Sequence, residues 1–204
     1  AILKGLTAHY LIKALGNINK DQTVVIHAAA GGVGSILCQW VKLIGAKIIG
    51  IVSSDDKVSR IEKIGVDFSI NSKKKNFSNE IMKITDGKGA DVIYDSVGKN
   101  TIQKGLSCLA ERGKLISYGN SAGPIEPIDI SSLKPISGSL VCGGLLTFIK
   151  NKDERQNNAD ELFKLIINGN LNIDINQRYK FKDIAIAHDE IEARITTGSS
   201  IIVP

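Results

Sequence analysis

Short apolar runs alternate with amphipathic segments along most of this chain. Residues 23–28 are almost all apolar and rich in β-branched side chains, which is typical of a parallel strand covered on both faces. After a glycine-rich turn, apolar residues recur with helical spacing and predict one buried stripe: Val33, Ile36, Leu37, Trp40, Val41 and Ile44. Gly45 is placed to end that helix.

The same alternation predicts a complete sheet. Further strands are expected at residues 47–53, 67–71, 90–97, 114–118 and 137–142. Helices are expected at residues 1–15, 55–64, 78–85 and 101–110. Such alternation predicts an α/β fold of the Rossmann type, a doubly wound parallel sheet of six strands in the order 3-2-1-4-5-6. Ligands of these sheets bind at the carboxyl ends of strands 1 and 4.

The C-terminal part of the chain breaks this rhythm. A helix is predicted at residues 157–168, an extended stretch at 171–181, a second helix at 183–194 and a short strand at 200–203. The sequence identifies no partner for the last strand, so we expect the chain to return there to a further domain.

Composition and charge narrow the possible partners. With 43% hydrophobic and 23% charged residues, the chain has an ordinary globular composition. No apolar run could span a bilayer, so no membrane association is expected. The net charge of +5 is modest, and residues 73–75, a run of lysines, are interpreted as a solvated loop rather than a nucleic-acid site.

Cysteines and histidines indicate neither disulfides nor a metal site. The cysteines are odd in number and far apart, which favours free thiols in a reducing compartment and predicts a cytoplasmic protein: Cys38, Cys108 and Cys142. With no Cys-x-x-Cys pair and scattered histidines, no zinc site is expected from this chain. His27, in a buried strand, and His188, on an apolar helix face, are interpreted as satisfied core histidines.

The glycine turn carries the strongest chemical signal. Residues 29–34 match the pattern G-x-G-x-x-G with alanine at the first position, between a clear strand and a clear helix. A nucleotide site is favoured over a purely structural turn because the motif requires that context. The backbone of five residues is expected to cradle a pyrophosphate at the helix N-terminus: Ala30, Gly31, Gly32, Val33 and Gly34.

Residues after the second strand bear on the choice between NAD and NADP. An acidic residue there would bind ribose hydroxyls and repel a 2′-phosphate, but the expected position holds Ser53. Ser53 and Lys57 offer a donor and a positive charge to a phosphate, so NADP(H) is favoured. The alternatives are that Lys57 is an exposed helix lysine and that Asp55 is a helix N-cap. Ser96, Val97 and Asn120 follow strands 4 and 5 and are expected at the ligand edge.

Several motifs together resemble one family. They are GLTAHYL (residues 5–11), HAAAGGVG (27–34), GAK-IIG-VSS-K (45–57), YDSVG (94–98), YGNSAG (118–123) and EARITTGSSIIVP (192–204). The chain resembles the zinc-free quinone oxidoreductases, the zeta-crystallin-like branch of the medium-chain dehydrogenase/reductase superfamily. That resemblance implies hydride transfer from NADPH to a small-molecule quinone or conjugated carbonyl, and a homodimer formed through the sheet edge. It also implies an N-terminal GroES-like catalytic domain that is almost wholly absent here.

The resemblance divides the chain and adds site residues. It implies a hinge helix at residues 1–15, an NADP-binding Rossmann domain at 16–146 and a C-terminal return segment of the catalytic domain at 147–204. Thr7 matches a threonine near the nicotinamide, with a hydroxyl bonded to its own helix as the alternative. Arg194 matches an arginine that reaches the cofactor, with a surface helix arginine as the alternative.

Two departures from the family pattern stand out. Ser72 replaces a tyrosine that touches the phosphate end in many relatives, and Gly143-Gly144 replaces a common Arg-Pro beside the cofactor and the partner subunit. No residue has the character of a committed general acid or base, which fits a family in which the protein supplies binding, orientation and electrostatics.

Three functions remain in competition. A quinone oxidoreductase is favoured, and a non-catalytic NADP(H)-binding fragment is the alternative. A methyltransferase on a similar sheet is weak, because the antiparallel edge strand is missing and Ser53 and Lys57 would have no role.

Overall fold

A computed structural model describes all residues from 1 to 204, and its main feature is a six-stranded parallel sheet. The strands are β1 (Thr23–His27), β2 (Lys47–Val52), β3 (Phe68–Asn71), β4 (Ala90–Asp95), β5 (Leu109–Ser117) and β6 (Ser139–Cys142). Their order is β3-β2-β1-β4-β5-β6, and every neighbouring pair is parallel. The predicted fold class and strand order are confirmed.

Helices cover both faces of the sheet. They are α1 (Ile2–Tyr10), α2 (Gly32–Ile44), α3 (Asp55–Ile64), α4 (Phe77–Ile84) and α5 (Ile102–Leu106). Val24 and Ile26 belong to one buried apolar cluster and Val25, between them, to the other. Alternate residues of one strand therefore face opposite cores, which explains why the strands appear in the sequence as unbroken apolar runs.

The helix predicted at residues 101–110 is wrong at its C-terminal end. α5 stops at Leu106, and β5 already begins at Leu109, which pairs with Ala90. The register then shifts between Ala90 and Val92, and Arg112 adopts φ 58° at this irregularity. A β-bulge thus places apolar residues with helix-like spacing in a strand.

The first helix continues as a π-helical turn that side chains of the sheet hold in place. A π-helical turn spans Leu11–Gly16 directly after α1. The Tyr94 hydroxyl, from β4, donates to the Leu11 carbonyl at 3.0 Å, and Lys114 Nζ, from β5, donates to the carbonyl of Leu15 at 3.1 Å. The N-terminal segment is therefore fixed to the sheet by side chains of two central strands.

The C-terminal part adds a small layer that packs against the main core through Leu162 and Leu171. It contains α6 (Leu145–Phe148), α7 (Lys152–Ile167), β7 (Ile175–Lys180), α8 (Ile184–Glu192) and β8 (Ser199–Val203), and two 3₁₀ turns lie at Ile130–Ile136 and Phe181–Asp183. α7 begins five residues earlier than predicted, because the Asn151 side chain accepts from the amides of Asp153 and Glu154 and caps it.

The last strand has a partner, contrary to the sequence-based expectation. β8 pairs in parallel with β7, whose sequence INQRYK is largely polar and exposed and therefore lacks the apolar pattern of a buried strand. The layer joins the main sheet where Gly198 N donates to the Ala30 carbonyl at 3.0 Å. None of the helices has the length and apolar composition that crossing a bilayer requires.

Candidate functional site

The glycine turn after β1 is tight, and the Lys4 side chain lies over Gly32. Ala28 adopts φ 50°, and Gly31 N donates to the Ala28 carbonyl at 2.8 Å. A Cβ added at Gly34 would lie 2.3 Å from that carbonyl oxygen, so only glycine fits there. Because α2 begins at Gly32, the amides of Val33 and Gly34 point out of the helix and donate to no acceptor in the chain. Free amides at a helix N-terminus can hold an anion.

A cleft of about 1000 Å³ opens beside this turn at the carboxyl ends of the strands. Its walls come from the ends of β1 and β2, the loops after β3 and β4, and residues 191–197. The position agrees with the ligand edge expected for this sheet order.

Half of the predicted site residues line that cleft. They are Ala30, Gly31, Ser53, Lys57, Val97 and Arg194. The remainder do not line it: Thr7, Gly32, Val33, Gly34, Ser96 and Asn120. Gly32, Val33 and Gly34 nevertheless follow directly on Gly31, at the start of α2.

Thr7 lies outside the cleft, whereas Ser96 and Asn120 directly precede two residues that line it, Val97 and Ser121. The Thr7 hydroxyl donates to the Leu3 carbonyl at 2.7 Å, within its own helix. Ser96 and Asn120 are in adjacent loops after β4 and β5, where Ser121 N donates to the Ser96 carbonyl at 3.1 Å.

Lys57 and Arg194 bring three parts of the chain together. Lys57 Nζ, on α3, donates to the Arg194 carbonyl at 2.6 Å, and Arg194 Nη2 donates to the carbonyl of Ser121 at 2.6 Å. Burial lowers the pKa of Lys57, and the positive charges of Lys73, Arg194 and Arg60 lower it further. This crowding of positive charge marks the α3 side of the cleft as suited to an anion.

Asp55, the acid that could select NAD, is engaged outside the cleft. One carboxylate oxygen accepts from Asn71 Nδ2 at 2.8 Å and the other pairs with Lys74. The Lys74 and Asn71 hydrogen bonds hold the pKa of Asp55 below its usual range. The interpretation of Asp55 as an N-cap is wrong, because Ser54 occupies the N-cap position, without a side-chain cap bond, and Asp55 is the first residue of α3.

Sequence reasoning missed basic residues that line the cleft, among them Arg60, Lys73 and Lys104. Arg60 was recognisable in principle, because it lies three residues after Lys57 and so on the same side of α3. Lys73 belongs to the run interpreted as a solvated loop, and nothing in the sequence distinguishes it from its two neighbours.

Neither His27 nor His188 is a satisfied core histidine, contrary to the prediction. His27 is buried as predicted but not satisfied, because its Nε2 has no hydrogen-bond partner. Burial lowers the pKa of His27, against the opposing charge of Asp95. Asp95 Oδ1 accepts from the amides of Val97 and Gly98 at 2.7 and 2.9 Å, while its Oδ2 has no partner. His188 is exposed rather than buried.

Metal-binding side chains do not converge anywhere in the 204 residues. No group of three or more histidine, cysteine, aspartate or glutamate side chains could hold an ion. The three cysteines are free thiols, of which Cys38 and Cys108 are buried. The residues present therefore do not fit a zinc site.

The six-stranded parallel sheet, the glycine turn and the cleft at the strand ends define a Rossmann-type α/β protein. The sequence profile of the family described as "Zinc-binding dehydrogenase" matches residues 32–160. The chain therefore belongs to this family, within the medium-chain dehydrogenase/reductase superfamily, and the resemblance stated from its motifs is confirmed.

Individual relatives agree with the family assignment. The chain is 40% identical over 204 residues to the quinone oxidoreductase of Pseudomonas aeruginosa, covering all of this chain and 63% of that protein. It is 36% identical to a 2-haloacrylate reductase of Burkholderia sp, covering 62% of it. The solved structure of Escherichia coli quinone oxidoreductase complexed with NADPH matches with a TM-score of 0.95 and 38% identity, over all of this chain and 64% of that one. The chain thus spans less than two thirds of the length of these relatives.

Proposed function

We propose that the cleft binds NADPH and that the full-length protein transfers its hydride to a small-molecule quinone or conjugated carbonyl. The observation that carries this proposal is the pairing of two anion-binding features in one cleft. The free amides of the glycine turn follow directly on Gly31, which lines the cleft, and Lys57 and Arg194 line the cleft as well. A dinucleotide with a pyrophosphate and a 2′-phosphate carries negative charge at two such places.

The chain's own residues would hold this cofactor in distinct ways. The amides after Gly31 would bind the pyrophosphate, and Ser53, Lys57 and Arg194 would bind the 2′-phosphate. Val97, Ser96 and Asn120 would border the reacting end at the strand termini. Thr7 belongs to this set on family resemblance alone. When bound, the cofactor supplies the hydride, and the protein supplies binding, orientation and electrostatics.

The domain organisation follows from the same proposal. Residues 1–15 form a hinge helix, residues 16–146 the NADP-binding domain and residues 147–204 the part that returns to a catalytic domain. β6 is one of the two edge strands of the sheet, with β3 at the other edge, and is proposed as the homodimer contact. In place of the family's Arg-Pro, Gly143 packs against the hinge helix, where its carbonyl accepts from the Tyr10 hydroxyl at 3.2 Å.

The names of two relatives favour one class of hydride acceptor. Quinone oxidoreductases and a 2-haloacrylate reductase are similar to this chain, and both names describe substrates with a conjugated acceptor. Two-electron reduction of such an acceptor needs a hydride and a proton, and no side chain of this cleft is assigned to the proton.

Turnover by the full-length protein tests the proposal. NADPH oxidation, followed by absorbance, is expected with a benzoquinone or a 2-haloacrylate as acceptor. The variant Lys57→Gln should raise the KM for NADPH and leave kcat nearly unchanged, because it removes a binding contact rather than a reacting group. Tight NADPH binding with no oxidation by either acceptor would overturn the proposed catalytic activity and favour a non-catalytic NADP(H)-binding protein.

A further inference from the structure

The lysine run at residues 73–75 divides into two paired side chains and one free one. Lys74 Nζ pairs with Asp55, and Lys75 Nζ pairs with Glu80 at 3.2 Å. Lys73 forms no ion pair and lines the cleft. Three neighbouring lysines therefore have different electrostatic surroundings, and only Lys73 has its charge left for a ligand.

The loop that carries Lys73 is held firmly to the sheet. Lys73 N donates to Asn71 Oδ1 at 3.1 Å, and Asn71 is 9% exposed at the end of β3. The Ser72 hydroxyl donates to the Val52 carbonyl at 3.1 Å, at the end of β2. The backbone of Lys73 is thus fixed beside the residues that follow β2, so its side chain starts from a defined position at the cleft.

Four cations line this part of the cleft and outnumber its acids. Lys57, Arg60, Lys73 and Arg194 all line it, and none of them forms an ion pair. Asp56 is the only carboxylate in the lining. The mutual repulsion of four cations is relieved by a dianion better than by a neutral hydroxyl, and a phosphate monoester carries about −1.5 to −2 charges near pH 7.

We propose that Lys73, supported by Arg60, determines specificity for a phosphate monoester in this cleft, and so for NADPH over NADH. The inference rests on the proposed function, since it concerns the 2′-phosphate of the same cofactor. Lys57 and Arg194 each share their donors with a backbone carbonyl, that of Arg194 and that of Ser121. Lys73 and Arg60 make no such side-chain bonds, so their charges remain for the phosphate.

Dissociation constants of the full-length protein for NADPH and NADH, measured by cofactor fluorescence, test the inference. Lys73→Gln is expected to weaken NADPH binding by about tenfold, the usual worth of a charge-assisted hydrogen bond, and to leave NADH binding within about twofold. Arg60→Gln should act in the same direction. Retained NADH binding also shows that each variant is folded.

Lys75→Gln is the matched control, because Lys75 also lines the cleft but its charge is already paired with Glu80. Its effect on NADPH binding should be well below that of Lys73→Gln. The NADPH affinity of the unmodified protein should also fall more steeply with salt than that of Lys73→Gln. An unchanged NADPH-to-NADH ratio in Lys73→Gln, with the unmodified protein preferring NADPH, would overturn this inference alone. Failure of the unmodified protein to bind either cofactor would overturn the proposed function as well.

Discussion

Nε2 of His27 lies 3.9 Å from Oδ2 of Asp95, and neither atom has a hydrogen-bond partner. Both side chains are buried at the ends of neighbouring strands, and the His27 ring meets Phe77 edge-on at 4.8 Å. A buried polar atom without a partner costs about 1–3 kcal/mol. This pair beneath the cleft is therefore a local weakness, and it makes the stability of the domain sensitive to pH.

Protonation of His27 should destabilise the folded protein as the pH falls. Because burial lowers its pKa in the folded state, the unfolded chain binds the proton first, below the ordinary value of about 6.5. Stability is then full above that pH and decreases below it, with a limiting slope of about 1.4 kcal/mol per pH unit. Urea unfolding followed by the fluorescence of Trp40, the chain's single tryptophan, measures this slope between about pH 7.5 and about pH 5.5.

The variant His27→Gln should flatten that pH dependence, because the group that takes up the proton is gone. His188→Gln removes a histidine from an exposed position and serves as the control. An equal slope in His27→Gln and the unmodified protein would rule out His27 as the source.

Replacing Asp95 should lower the free energy of unfolding more than replacing an exposed aspartate that makes the same number of hydrogen bonds. Asp95→Ala removes the acceptor of the amides of Val97 and Gly98. We expect the free energy of unfolding to fall by about 2 kcal/mol or more. Asp129 accepts from the amide and hydroxyl of Ser131 on the surface, so Asp129→Ala should lose less than about 1 kcal/mol. Similar losses for both variants in urea unfolding would contradict this account.

A side chain at Gly34 should disturb both the fold and the anion cradle. The Cβ of Gly34→Ala would meet the Ala28 carbonyl oxygen at 2.3 Å, so the turn must shift. This shift should lower the free energy of unfolding by about 1–3 kcal/mol. NADPH affinity should fall with it. Gly144 has open space around its missing Cβ, so Gly144→Ala is the control and should change neither quantity. If Gly34→Ala bound NADPH with unchanged affinity, the cradle would not be at this turn.

The main sheet was predictable because each of its strands has a local signature. Buried strands produce unbroken apolar runs, and residues such as Gly45 and Gly65, both with φ near 90°, end helices where the pattern stops. β7 was not predictable, since it is a polar, exposed strand that exists only through its pairing with β8. The end of α5 was missed because a bulge gave Leu109 a helical spacing in a strand.

For the candidate site, the motif-bearing part was predictable and the electrostatic part was not. The glycine turn, Ser53 and Lys57 lie at fixed distances from recognisable elements. The separate status of Lys73 depends on which acids reach Lys74 and Lys75, and those acids lie 19 and 5 residues away in the chain. Pairing of this kind is decided by tertiary structure, as is the unpartnered state of His27.

The most direct test of the account is a fluorescence titration of the full-length protein with NADPH and, in parallel, with NADH. We predict NADPH binding several-fold tighter than NADH, because cations without ion-pair partners line the cleft beside α3 while Asp55 is held by Asn71 and Lys74. Tighter binding of NADH would contradict the account and would place an acidic residue, Asp55 or Asp56, at the ribose.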